Sequence, residues 1–98
     1  MSQAYLGSEP GHESQSVWVK LRLTPQLRLA LEKYPMAAEQ TISEEAGSLI
    51  VTAQLVVNAD FLHWIFALGS DVEVLMPLQL RELVRSGISS ALDQYRIV

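Results

Sequence analysis

The run Val17-Trp18-Val19-Lys20-Leu21-Arg22-Leu23 alternates without a break, and that alternation narrows what the chain can become more than any other feature. Successive side chains of a strand leave opposite faces. A period of two therefore places Val17, Val19, Leu21 and Leu23 on one side and Trp18, Lys20 and Arg22 on the other. The pattern predicts a half-buried strand whose aliphatic face needs a cover. Thr24-Pro25 follows, an N-cap residue and a proline whose missing amide is harmless at a first helical position. Leu27, Ala30, Leu31 and Tyr34 then recur at i, i+3, i+4 and i+7, one helical stripe closed by Pro35.

The next pattern predicts a hairpin. Residues 39–45 form a weaker strand, Ala46-Gly47-Ser48 a turn, and residues 49–57 a strong strand rich in Ile, Val and Thr. Leu49, Val51, Ala53 and Leu55 share one face of it. Ile50, Thr52, Gln54 and Val56 share the other, and the polar pair Thr52 and Gln54 marks that face as the less buried. Asn58 or Asp60 can cap a second helix with the stripe Phe61, Trp64, Ile65 and Leu68, stopped by a left-handed Gly69. Residues 72–75 read as a short fourth strand. Pro77 opens a last helix with the stripe Leu80, Leu83, Val84, Ile88, Ala91, Leu92 and Tyr95. Gly87 inside that helix is unfavourable by roughly 1 kcal/mol relative to alanine, which points to a bend or a close contact there. Short, right-handed connections leave few ways to join these pieces. The expected fold is α+β: a ferredoxin-like βαββαβ sandwich with an extra C-terminal helix, the Val17 and Leu49 strands central and the two helices on one face. The other face stays open unless the last helix or a partner covers it.

Ninety-eight residues hold one domain and exclude a second core. Residues 1–16, rich in Ser, Gly, Gln and Glu, lack apolar periodicity and read as a flexible leader or interdomain linker, leaving 17–98 as the folded domain. The net charge is −4, with seven basic and eleven acidic residues. Two of the acids, Glu9 and Glu13, belong to the leader, so the domain itself is close to neutral. Autonomous nucleic-acid binding is disfavoured, because counterion release needs a basic surface; a local basic strip is still allowed. The chain has no cysteine, which removes disulfides, thiolate metal clusters and a thiol nucleophile. Its apolar runs fall far short of a membrane span, and the leader lacks the features of a signal peptide. The reading is a cytoplasmic domain with no membrane partner.

From Val17-Trp18-Val19-Lys20-Leu21-Arg22-Leu23-Thr24 onward the chain resembles the C-terminal extension domain, WCX, of bacterial WYL-type transcriptional regulators. In that family a strand ending in "lrf" or "lrl" leads into a short helix. A hairpin turn with Gly-Ser follows, here Gly47-Ser48-Leu49. A helix ending in "lG" comes next, here Leu62-His63-Trp64-Ile65-Phe66-Ala67-Leu68-Gly69. Last is a "vevl-x-P" strand and helix, here Val72-Glu73-Val74-Leu75-Met76-Pro77 running into Leu80-Arg81-Glu82-Leu83. The resemblance spans about residues 17–95. Ala46 departs from it, since the family tends to carry Asp before the turn glycine. That departure bears on turn stability more than on function. The resemblance implies a C-terminal piece of a longer regulator whose helix-turn-helix and WYL domains are the partners of this one. It implies a non-catalytic role in regulation and dimerisation, assisting an adjacent domain that senses a ligand, nucleic acid among the possibilities.

No catalytic constellation, metal site or cofactor is expected. His12 falls in the leader, His63 sits alone on the second helix, and the pair Glu44-Glu45 has no base at productive spacing. Ser86, Ser89 and Ser90 are helix-surface serines, and Arg81 and Arg85 are expected on a solvated helix face. The one feature with functional edge is the outward face of the first strand. Trp18, Lys20 and Arg22, with Gln54 from the neighbouring strand, form the candidate ligand or nucleic-acid contact: a ring for stacking and cations for phosphates. The competing and favoured expectation is burial of Trp18, under the last helix or against another domain, because Ile50 and Val56 share its face. The long stripe of the last helix suggests a homodimer or an interdomain contact. The alternative function is a small-molecule-binding ferredoxin-like module, with its ligand at loops such as Leu23-Thr24-Pro25 or Gly69-Ser70-Asp71.

Overall fold

The computed structural model describes residues 16–95. The expected leader, apart from Ser16, lies outside them, as do His12 and Arg96. The elements are β1 (Ser16–Leu23), α1 (Arg28–Lys33), β2 (Gln40–Glu45), β3 (Ser48–Val56), α2 (Ala59–Leu68), β4 (Val72–Met76) and α3 (Leu78–Asp93). Short 3-10 turns, Pro25–Leu27 and Gly69–Asp71, lead into α1 and β4. The fold is α+β, with one antiparallel four-stranded sheet in the order β2-β3-β1-β4 and three helices. The two strands with the strongest patterns, β1 and β3, are the central ones.

The alternation of β1 and β3 decides where the core lies. Val19, Leu21 and Leu23 face the helices together with Leu49 and Val51, and all five are sealed from water. Leu31 of α1, Ile65 of α2, and Leu80 and Val84 of α3 complete the same cluster. All three helices therefore lie on one face of the sheet. No described helix covers the far side of the sheet, and the last helix packs along β4 in the same layer as the other two. Its Gly87 is explained by a close contact: an added Cβ would stand 2.7 Å from Cζ of Phe66 on α2. The two helices approach there because one residue has no side chain.

Three local expectations change. Thr24 precedes the first 3-10 turn in extended geometry, but its hydroxyl makes no capping bond. The proline sets the turn, and α1 proper is only six residues long. Tyr34, placed in the apolar stripe by its spacing, is 73% exposed because the helix ends at Lys33 before the stripe can carry it inward. The α2 cap is Asn58, whose Oδ1 accepts the Phe61 N–H at 2.9 Å, and Asp60 lies inside the first turn.

The hairpin joining β2 to β3 is a two-residue turn. Glu45 pairs with Ser48, and both intervening residues have positive φ, +53° at Ala46 and +82° at Gly47. Such geometry matches the twist of the flanking strands and favours Asn-Gly or Asp-Gly. Alanine at the first position is strained, since its Cβ crowds the following carbonyl.

Candidate contact face of the sheet

The register of β1 against β3 brings the predicted residues together. Trp18 stands opposite Gln54, Lys20 opposite Thr52 and Arg22 opposite Ile50. On the other flank β4 sets Met76 beside Lys20 and Glu73 beside Arg22. β2 adds Thr41 next to Thr52 and Ser43 next to Ile50. Trp18, Lys20, Arg22 and Gln54 thus share one surface, with a polar margin in which Thr41 and Ser43 join the expected Thr52.

The last helix, one of the two covers expected for Trp18, does not lie over it; the other, an adjacent domain, lies beyond the described residues. The side chain is 54% exposed, because α3 directs Leu80 and Val84 into the core on the opposite side. Ile50 alone on this face is buried, at 5% exposure, between Arg22 and Ser43 in the adjacent strands.

Arg22 is also less available than its spacing implied. Its Nη1 donates to Glu73 Oε1, and Glu73 Oε2 accepts from Arg81 Nη1 at 2.9 Å. Arg81 Nη1 further donates to the Val74 carbonyl at 2.9 Å, which satisfies part of the outer edge of β4. Glu73 is the centre of this bridge. The hydrogen bond from Arg81 does most to hold its carboxyl below the ordinary carboxylate range; Arg22 assists, and partial desolvation opposes. Glu73 was missed because its role depends on the register of two strands fifty residues apart. Its place at an outward position of the "vevl" strand was the only available signal. Arg85 lies on the solvated helix face as expected, paired with Glu82 at 2.9 Å, whereas Arg81 is drawn to Glu73 and the Val74 carbonyl. Lys20 is the cation of the face that no described residue pairs.

Chemically, the surface offers one stacking ring, one unpaired ammonium, one arginine shared with a carboxylate, and amide and hydroxyl groups. It is equipped to hold a flat, weakly anionic or polar group. It holds no nucleophile with a partnered base. His63 is exposed on α2, and Glu44 is paired with Arg28 at 3.3 Å. Among the described residues no three His, Cys, Asp or Glu side chains converge as metal ligands. No described helix is long and apolar enough to cross a membrane.

The two loops suggested for a small ligand also meet. The Thr24 N–H donates to the Asp71 carbonyl at 3.1 Å. With the Gly47-Ser48 turn they border an open cleft of about 340 Å³ at the end of the sheet, flanked by Arg22 and Glu73.

No curated protein matches the chain. The family model described as the WCX domain matches residues 15–92, which takes in all four strands and nearly all of α3. The chain belongs to the WCX domain family, the regulatory domain associated with WYL-type regulators.

Proposed function

We propose that this domain is a non-catalytic regulatory module at the C-terminal end of a bacterial, cytoplasmic WYL-type transcriptional regulator, and that the open face of its sheet touches the ligand. We read the strand order and the one-sided helix layer as a ferredoxin-like sandwich with an added helix. The observation that carries the proposal is the exposed Trp18 beside Lys20, which no described residue pairs, on a face no described helix covers. Single-stranded nucleic acid suits that combination: a base stacks on the indole and a phosphate meets the ammonium. The domain's slight acidity assigns this face a supporting share of the affinity, with the adjacent WYL domain supplying the rest.

The test uses the intact regulator and a labelled single-stranded oligonucleotide, followed by fluorescence anisotropy. Stacking is worth about 1–3 kcal/mol per base, so Trp18→Ala should weaken binding on the order of tenfold. Lys20→Ala should weaken it less and flatten the salt dependence, and Arg22→Ala least, since Glu73 already engages that guanidinium. Unchanged affinity at low salt in Trp18→Ala removes the site.

The same reading includes a homodimer. The distal stripe of α3, Ile88, Leu92 and Tyr95, is exposed beside Phe66, an apolar strip of the kind that partners cover. Sedimentation should show a dimer that Ile88→Glu with Leu92→Glu converts to a monomer; a monomeric parent rejects this part.

One observation favours the small-molecule reading: the cleft where Leu23-Thr24-Pro25 and Gly69-Ser70-Asp71 converge. A thermal shift with amino acids or nucleotides, and none with oligonucleotide, would replace the first reading with this one.

A further inference from the structure

The helical layer does not close evenly over the sheet. Between short α1 and the start of α2 a cleft of about 450 Å³ opens, within the usual range for small-ligand sites. Tyr34, Met36, Leu55, Phe61 and Trp64 line it, together with the exposed carboxylate of Asp60. No Lys, Arg or His is among its lining residues. The Phe61 and Trp64 rings lie 6.0 Å apart and tilt by 32°. A second cleft of about 200 Å³ shares Tyr34 and Trp64 and continues along Leu27, Leu31 and Leu68.

Aromatic faces are negative and draw organic cations; a carboxylate close by adds to the attraction. The chain's own chemistry illustrates this, since Lys33 Nζ stands 6.0 Å from the centre of the Tyr34 ring. Two local fields oppose a cation: the N-terminal end of α2, equivalent to roughly half a positive charge, and the Lys33 ammonium on the Tyr34 ring. The full charge of Asp60 outweighs the helix end, where Asn58 already takes the Phe61 N–H, and Lys33 does not line the cleft as Asp60 does. An anion would meet the carboxylate with no lining cation to offset it.

From this juxtaposition of three aromatic rings, one carboxylate and an apolar extension, we infer a binding site for a small organic cation with an apolar body, an alkyl- or arylammonium. Its head lies by the rings and Asp60, and its body runs toward Leu27 and Leu68. The site lies on the helical side of the sheet, so it stands or falls independently of the Trp18 face.

The chain has two tryptophans, so Trp18→Phe leaves Trp64 as the only indole reporter. In that background the whole chain is titrated with choline at constant ionic strength, with its neutral carbon isostere 3,3-dimethylbutan-1-ol as control. Choline should change Trp64 emission saturably in the millimolar range, and the alcohol should bind at least fivefold more weakly. Benzyltrimethylammonium should bind at least threefold more tightly than choline. Tyr34→Leu and Asp60→Asn, both at exposed positions, should each weaken choline at least threefold with the thermal midpoint retained. Equal responses to choline and the alcohol, no saturable response, or indifference to both substitutions would overturn the site. Tighter binding of an acetylated Gly-Lys-Gly amide than of either ammonium would overturn the free-cation assignment in favour of a partner protein's side chain.

Discussion

The two faces of β1 are built from alternate residues of one short run, yet they differ in almost every physical respect. Val19, Leu21 and Leu23 are sealed beneath three helices, while Trp18, Lys20 and Arg22 look away from all of them. The inner face is held by burial alone, and the domain has no buried polar or charged residue among those described. The outer face is held by a half-exposed bridge, Arg22 to Glu73 to Arg81. The difference separates tasks: one side of the sheet supplies stability, and the other keeps a large aromatic where a partner can reach it. An exposed indole in the middle of a sheet contributes little to folding, which is why the proposed function assigns it to contact.

The sharpest way to break this contrast is to truncate one residue on each face. Leu21→Ala removes a side chain of 0% exposure and leaves a cavity. It should cost about 3 kcal/mol and lower the melting temperature on the order of 15 °C. Trp18→Ala removes more atoms but should cost less than about 1 kcal/mol. Comparable losses in calorimetry would mean that the outer face is covered in solution.

The packing of α3 against α2 gives a second, smaller test of the helical side. Gly87→Ala gains about 1 kcal/mol of helix propensity but drives a Cβ into the Phe66 ring. The two effects oppose each other in the parent. In a Phe66→Ala background the ring is gone, and the same substitution should stabilise by about 1 kcal/mol in urea denaturation. An identical gain in both backgrounds would show that the ring does not restrain the helix.

The hairpin turn pins the register that decides which β3 residues face out, since a slip by one would exchange the faces. Ala46→Asn relieves the strain of a positive φ. In urea denaturation it should raise the unfolding free energy by about 1 kcal/mol and leave ligand binding unchanged.

Much of this was legible beforehand, for identifiable reasons. A strict period of two in β1 and the Leu49–Leu55 alternation name the core face without reference to anything distant. Asn58 and Gly87 announce themselves through local backbone chemistry. What could not be read depends on distance. The stripe of α3 looks uniform from Leu80 to Tyr95, but a helix of 16 residues is about 24 Å long. The five-residue edge strand beneath it runs about 17 Å. The end of the stripe therefore overhangs its support, where Leu92 and Tyr95 remain exposed, while Ile88 borders an open cleft beside Val72. Tyr34 fails for a related reason: its helix stops short. The register does bring Trp18, Lys20, Arg22 and Gln54 onto one surface, as their spacing implied, but the tie between Arg22 and Glu73 requires a pairing between strands that no local pattern encodes.

That tie gives the smallest expected effect and the most specific one. Glu73 titrates below its ordinary value in the folded chain, chiefly because Arg81 hydrogen-bonds its ionised form. A carboxylate with a lowered folded pKa adds stability in full above the unfolded value of about 4.5 and loses it as pH falls through the lower folded value. Its side chain is 44% exposed, so solvent screens the bridge and its worth stays within about 1 kcal/mol. Glu73→Gln should therefore destabilise slightly at neutral pH, and its difference from the parent should shrink to nothing as the pH drops below the carboxylate range. The substitution also releases Arg22 onto the Trp18 face. Oligonucleotide affinity of the intact regulator should then rise while stability falls, an opposition that a purely structural bridge would not produce. A loss of both together would place Glu73 among the supports of the fold and remove Arg22 from the contact surface.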